Sequence, residues 1–206
     1  MSNKVKELML PILVLCIALF GVFYSLGEIR QIPPSKFPEL TPDFSLEGVN
    51  GPVKMSDFHG EVSLVFFGYT HCPDVCPATL ANIANALAEL NEDEIQAINP
   101  IFISLDPERD NPEKAAAFAH HFDPRIIALT GTQAQVDAAK SAFAVGSQKQ
   151  SKAGKDGVID EKNYTISHSS YIFVVRPDGS MGNLLGHLDP PNHIAIKAKH
   201  WLRWAD

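Results

Sequence analysis

The sequence predicts an α/β fold, a largely buried sheet flanked by helices, set behind one transmembrane helix. Three observations carry this. Residues 62–69 (VSLVFFGY) form a continuous apolar run rich in β-formers, as expected of a strand covered on both faces. Strand-like and helix-like stretches then alternate along the chain, which is the pattern of a sheet packed with helices. Finally, residues 8–27 (LMLPILVLCIALFGVFYSLG) hold no charge over twenty positions, enough to cross a hydrocarbon core of about 30 Å as a helix.

Lys4 and Lys6 precede the apolar run, so the positive-inside bias places residues 1–7 in the cytoplasm and everything after Arg30 outside. The expected location is therefore single-pass in the inner (cytoplasmic) membrane, with the C-terminal domain in the periplasm. A cleaved signal peptide competes with the anchor, with Ser25 and Gly27 as small residues near a cleavage site. A lipoprotein reading of Cys16 is disfavoured by bulky Leu15 before it. Residues 28–41 form a linker, and the four prolines of residues 31–42 (QIPPSKFPELTP) make it an extended spacer of roughly 30–40 Å. Residues 42–206 remain as one domain with a sizeable core.

The chain carries a net charge of −7. With the three charges before residue 28 set aside, the remainder is about −8, without a basic cluster, which excludes nucleic acid as a partner. Beyond the apolar run the only cysteines are Cys72 and Cys76. Outside the cytoplasm two neighbouring thiols pair, hold a metal or are kept reduced.

Element by element, residues 44–46 and 53–55 flank Gly48 to Gly51 as a hairpin. A central strand covers 62–69, and a helix comes after it over about 77–90 with Leu80, Ile83, Ala84, Leu87 and Leu90 on one stripe. Residues 101–103 read as a second buried strand. Asn111 and Pro112 start a helix reaching about His121, as N-cap and first helical residue. A short strand at 126–129 and a helix at 132–143 come next. Residues 146–163, polar and rich in Lys and Gly, read as a mobile surface loop. Residues 171–175 and 182–185 flank the turn Arg176-Pro177-Asp178-Gly179, and a helix over about 192–201 closes the chain. The order β–α–β–α, then an antiparallel hairpin and a helix, is the thioredoxin arrangement. To it the chain adds an N-terminal β-hairpin and one extra strand–helix unit.

The chemistry concentrates in Cys72-Pro73-Asp74-Val75-Cys76-Pro77, where the central strand gives way to a helix. Pro77 disfavours helical dihedrals at Cys76, which places Cys76 at or near the N-cap with Pro77 as first helical residue. Free N–H groups and the helix dipole there favour a thiolate. Side chains one helical turn apart lie about 5–6 Å apart at Cβ, whereas a disulfide wants about 3.5–4.5 Å. A metal–sulfur bond of about 2.3 Å lets one ion bridge the pair, so the spacing suits metal slightly better than a disulfide. A structural disulfide closing so short a loop would remove little unfolded-state entropy. Two soft thiolates narrow the ion to Cu(I) or Zn(II), and zinc normally wants third and fourth protein ligands. Of eight histidines, His168 is the topological candidate for a third ligand, since the segment entering the antiparallel strand passes over the cysteines. His71 adjoins the motif but as the neighbour of Cys72 points elsewhere. Asp106, ending the second buried strand, either tunes the ligands from behind or simply opens a loop in which Arg109 pairs with Asp110 on the surface.

These residues resemble the Sco/SenC family of copper-binding assembly factors for cytochrome c oxidase. The likeness rests on residues 67–77 (FGYTHCPDVCP), on residues 106–110 (DPERD), and on His168-Ser169 with the later Pro177-Asp178-Gly179. It implies that Cys72, Cys76 and His168 together bind one copper, as Cu(I) and Cu(II). It further implies delivery of that copper to the binuclear centre of oxidase subunit two, or reduction of that centre's cysteines. Ser167 stands where relatives commonly carry Asp, so a carboxylate behind the histidine is missing. Three other functions compete. A thiol–disulfide oxidoreductase would use the same redox-active pair, Cys72 and Cys76, without metal. A peroxidase of the peroxiredoxin type is disfavoured, because Thr70 stands two rather than three residues before Cys72. A binding module that senses copper or redox state would need a regulatory partner. The expectation is a metallochaperone rather than an enzyme.

Overall fold

A computed structural model describes residues 41–153 and 159–203. The predicted anchor at 8–27, and the linker as far as residue 40, lie outside them. Among the described residues no helix is long and apolar enough to cross a membrane. All of the described residues belong to the compact unit Glu39–Asp206.

A hairpin of β1 (Ser45–Gly48) and β2 (Gly51–Lys54) opens the unit and is succeeded by a single 3-10 turn, Met55–Phe58. β3 (Val62–Gly68) leads into α1 (Val75–Ala88), then α2 (Glu92–Gln96) and β4 (Ile98–Ser104). α3 (Pro112–His120), β5 (Ile127–Leu129) and α4 (Gln133–Ala142) come next. β6 (Ser147–Ala153) and β7 (Ile159–His168) form an antiparallel ribbon of their own. β8 (Tyr171–Val175), β9 (Met181–Gly186) and α5 (Pro191–Leu202) complete the fold. The main sheet has the order β5-β4-β3-β8-β9, with β3 parallel to β4 and antiparallel to β8. That is the thioredoxin-like arrangement expected from the element order.

The unbroken apolar run of β3 has a simple cause. Leu64 and Phe66 face a core with Leu80, Ile83 and Leu87 of α1 and Ile194, Ala198 and Trp201 of α5. Val65 and Phe67, pointing the other way, pack with Leu46 of β1, Val136 of α4 and Phe143. Every residue of β3 is buried, so neither face needs polar side chains. The Asn111 cap forms as the sequence predicts, and Thr132, read as the first residue of a helix, proves to be the cap of α4 as well. Asn111 accepts from the Lys114 N–H at the start of α3.

The structure departs from expectation at three places. α1 begins at Val75, two residues early, so Cys76 lies inside the first turn rather than at the cap. Pro77 is then the third helical residue, where its missing N–H would have had no helical partner in any case. α2 is an element the sequence reading lacks, although Asn91 and Glu94 form a reciprocal capping box. Residues 146–163 are not a loop. Most of them build the ribbon, with Ser147 opposite His168 and Ser151 opposite Tyr164. A ribbon wetted on much of its surface needs no apolar run, so its polar composition conceals it.

Candidate metal centre

The chain leaves β3 at Gly68 and turns sharply, the Cys72 N–H reaching the Tyr69 carbonyl at 3.2 Å. Cys72 is thereby set over the start of α1. There the Cys76 N–H points at Cys72 Sγ, 3.4 Å away, while the Asp74 side chain makes no cap. The sulfur of Cys72 thus takes the place of an N-cap oxygen. Cys76 is fully buried, Cys72 half-buried, and both are free thiols. The Cys72 thiol is pulled down to about 5, chiefly by the hydrogen bond it receives from the Cys76 thiol, with backbone N–H groups of Asp74 and Cys76 adding to it and burial opposing. Cys76 is pushed up, first by giving that hydrogen bond and then by burial. Without metal the pair is one accessible thiolate backed by one buried thiol.

His168, the last residue of β7, brings its Nε2 to 3.8 Å from Cys76 Sγ. Its ring meets Phe66 and Tyr69 edge-on, at centroid distances of 6.3 and 6.2 Å. Its Nδ1 lies 3.1 Å from the Ser169 carbonyl, so Nδ1–H donates there and the Nε2 lone pair faces the sulfur. A carbonyl therefore does the work of the absent carboxylate at Ser167, fixing tautomer and ring plane. Cys76 is the meeting point of the three candidate ligands, its N–H on the Cys72 sulfur and its own sulfur beside His168 Nε2, and they come from a loop, a helix and a ribbon. An ion about 2.3 Å from sulfur and about 2.0 Å from nitrogen would span that 3.8 Å at an angle of roughly 120°. Two thiolates and one imidazole as the donor set suit Cu(I) better than a fourfold zinc site.

Asp106 is buried, but its partners are Arg109, whose Nε donates at 2.5 Å, and the Tyr164 hydroxyl at 2.6 Å. Arg109 thus pairs with Asp106, not with Asp110 on the surface. Asp110 is itself buried and accepts from the Thr70 N–H at 2.9 Å, the Thr70 hydroxyl and the Ser104 hydroxyl. It clamps the entry to the cysteine loop onto the end of β4, and its charge helps hold Cys76 protonated. The pairing of Asp110 with Thr70 escapes sequence reasoning, because its partner lies 40 positions away. The alternation Tyr164, Ile166, His168 is the available sign that these three share one face of a strand. His71, half-exposed, contacts the Thr70 hydroxyl and lies 3.6 Å from Asp110. Donor atoms of His71, Asp106 and Asp110 fall within 4.8 Å of one another, yet both carboxylates are engaged by donors of the protein. They brace loops rather than offer a second metal site.

A thioredoxin-like domain with a dithiol and an imidazole at one end of its sheet defines the class of protein. The SCO1/SenC family model matches residues 33–203, and the chain belongs to that family. A SCO2-like protein of Rickettsia prowazekii is 31% identical over 185 residues, covering 86% of this chain and 87% of that one. The mitochondrial SCO1 homologue of Homo sapiens is 34% identical over 168 residues, or 81% of this chain, which spans only 54% of that protein. Bradyrhizobium japonicum ScoI, solved with copper bound, is 32% identical with a TM-score of 0.68, over 78% of this chain and 98% of that one.

Proposed function

We propose that the protein is a copper metallochaperone, holding one copper through Cys72, Cys76 and His168 and passing it on during assembly of the copper centre of cytochrome c oxidase, with subunit two as client. The observation that carries this is the 3.8 Å approach of His168 Nε2 to Cys76 Sγ, beside a Cys72 sulfur already poised as a thiolate. The copper bound to Bradyrhizobium japonicum ScoI, at 32% identity, supports the choice of ion. Residues 8–27 act as the anchor in the cytoplasmic membrane and hold the domain in the periplasm, within reach of a membrane-bound client.

Cargo transfer is a consequence of the donors. Cu(I), soft and closed-shell, is content with two thiolates, whereas Cu(II) prefers nitrogen and oxygen and relies on the imidazole. Withdrawal of His168 leaves a two-coordinate ion open to incoming ligands. The test is anaerobic Cu(I) titration of the full-length chain against a competing chelator. One Cu(I) per chain, lost in Cys72→Ser and in Cys76→Ser, is expected. A ratio near zero, or zinc displacing copper under reducing conditions, sinks the reading.

A second reading, thiol–disulfide reduction of the client's cysteines, is favoured by the polarity of the pair. The Cys72 thiolate would attack a client disulfide and expel one client thiolate. Cys76, giving up its proton, would then close the Cys72–Cys76 disulfide and release the second. Reductase turnover at equal rates with and without copper, on a chain that binds no copper tightly, would select this reading.

A further inference from the structure

Among the described residues, the ribbon that carries His168 is a separate two-stranded sheet whose strands pair with each other. Besides the packing of Ile166 and a backbone hydrogen bond from Ile166 to Tyr69, it is held to the body of the domain by a set of contacts with the loop after β4. Arg109 lies flat on the Tyr164 ring, its guanidinium carbon 3.5 Å from the ring centroid. From there its Nη1 donates to the Tyr164 carbonyl at 3.1 Å while its Nε donates to Asp106. The Tyr164 hydroxyl closes the circuit by donating to the other oxygen of Asp106. On the outer strand Glu108 pairs with Lys149 at 2.8 Å, and Lys149 in turn lies over the Tyr164 ring. One short loop therefore grips both strands of the ribbon.

The strand geometry turns this grip into control of the metal ligand. Tyr164, Ile166 and His168 alternate on one face of β7, so the face clasped at Tyr164 is the face that presents the imidazole. Tyr164 is nine-tenths buried or more, Ile166 packs against both cores, and His168 reaches Cys76. Arg109 also stands 5.9 Å from the Tyr69 ring, which itself meets His168 edge-on. We infer that Asp106, Arg109 and Tyr164 form a clasp that sets the distance of His168 from the cysteine pair, making them positioning residues for the third metal ligand. This rests on the copper reading for what the position is used for, but the mechanical claim concerns the ribbon alone. While the clasp is closed, His168 faces the sulfurs. When it opens, the ribbon swings with its imidazole and the dithiol is left as a two-ligand site.

The test uses two full-length variants. Tyr164→Phe removes a single hydroxyl and keeps the stacked ring, while Arg109→Lys keeps the charge but loses the flat stack and the paired donors. Hydrogen exchange of the metal-free chain is read at 147–151 and 163–168 against β3 and β4. The expected result is exchange about tenfold or more faster in the ribbon alone, the size of losing one buried hydrogen bond to a charged group. In the copper-loaded chain the thiolate-to-Cu(II) charge-transfer absorption should weaken and Cu(II) should dissociate about tenfold faster, with Cu(I) affinity changed less than about threefold. Unchanged ribbon exchange in both variants overturns the clasp. So does exchange that rises equally in β3 and β4, which would make these residues ordinary supports of the fold. If the unaltered chain binds no copper, the copper reading fails by that result and the exchange measurement still decides the clasp.

Discussion

A methyl group at Gly68 would lie 2.8 Å from Cys76 Sγ, 3.0 Å from the Phe102 ring and 3.1 Å from that of Phe66. Only glycine lets the end of β3 pass the buried sulfur so closely. Gly68→Ala must therefore shift the sulfur or the strand. It should cost about 1–3 kcal/mol by overpacking and weaken copper binding with the cysteines untouched. Urea unfolding and chelator competition on the same variant check both, and a variant of full stability and affinity refutes the account. The thiolate of Cys72 gives a second residue-level test. Its alkylation rate should follow a titration centred near pH 5 and not rise further towards pH 9. Cys76→Ala removes the main hydrogen-bond donor, so the midpoint should move up towards the ordinary thiol range. The two cysteines were legible in the sequence because they sit in one motif, whereas topology made His168 only a candidate among eight histidines and the family resemblance singled it out. Asp110 was not legible. Its carboxylate serves Thr70, and nothing local to residues 106–110 tells that both aspartates are buried or which one Arg109 takes.

The elements show the same division between local and distant signals. Strands with apolar faces, and α3 with Asn111 as its cap, were readable because burial and capping leave a pattern within a few residues. α2, only five residues long, escaped despite its capping box. The ribbon β6–β7 was hidden, since strands solvated on much of their surface lack an apolar run, and only Tyr164, Ile166 and His168 betray an inner face. α5 is the opposite case. Read from the sequence as a helix over about 192–201, it buries Ile194, Ala195, Ala198 and Trp201. Trp201 Nε1 donates to Asn183 at 2.7 Å, and Arg176 stacks on the indole at 4.1 Å. Asn183 pairs with Val174, which pairs with Leu64, so this contact lies towards the start of β3, away from the cysteines beyond its end. Trp201→Phe should accordingly lower the unfolding free energy by about 1–3 kcal/mol, through one lost half-buried hydrogen bond and a weaker cation–π contact. Copper stoichiometry should remain that of the parent chain. Loss of copper binding in a folded Trp201→Phe protein would show that α5 supports the site directly.

For the whole molecule, the proposed metal site ties together parts of the fold that are distant in sequence. Cys76 and His168 are 92 positions apart, one at the end of the main sheet and the other on the ribbon. An ion held by both binds the folded chain and has no comparable site in the unfolded one, so it must raise stability by mass action. With free ion at about a thousand times its dissociation constant the gain is about 4 kcal/mol. For a domain of this size that corresponds to a rise in melting temperature of roughly 8–16 °C. The two oxidation states should differ in where that gain resides. Cu(I) needs only the thiolates, so His168→Ala should keep most of the Cu(I) shift. Cu(II) depends on the imidazole, so the same substitution should remove most of the Cu(II) shift. Cys72→Ser should abolish both. Thermal unfolding of the full-length chain and the two variants, each metal-free, with Cu(I) under anaerobic conditions and with Cu(II), separates these cases. Equal losses in His168→Ala for both ions, or none for either, would mean that another group completes the site. His71, next to Cys72 and half-exposed, is then the first residue to replace.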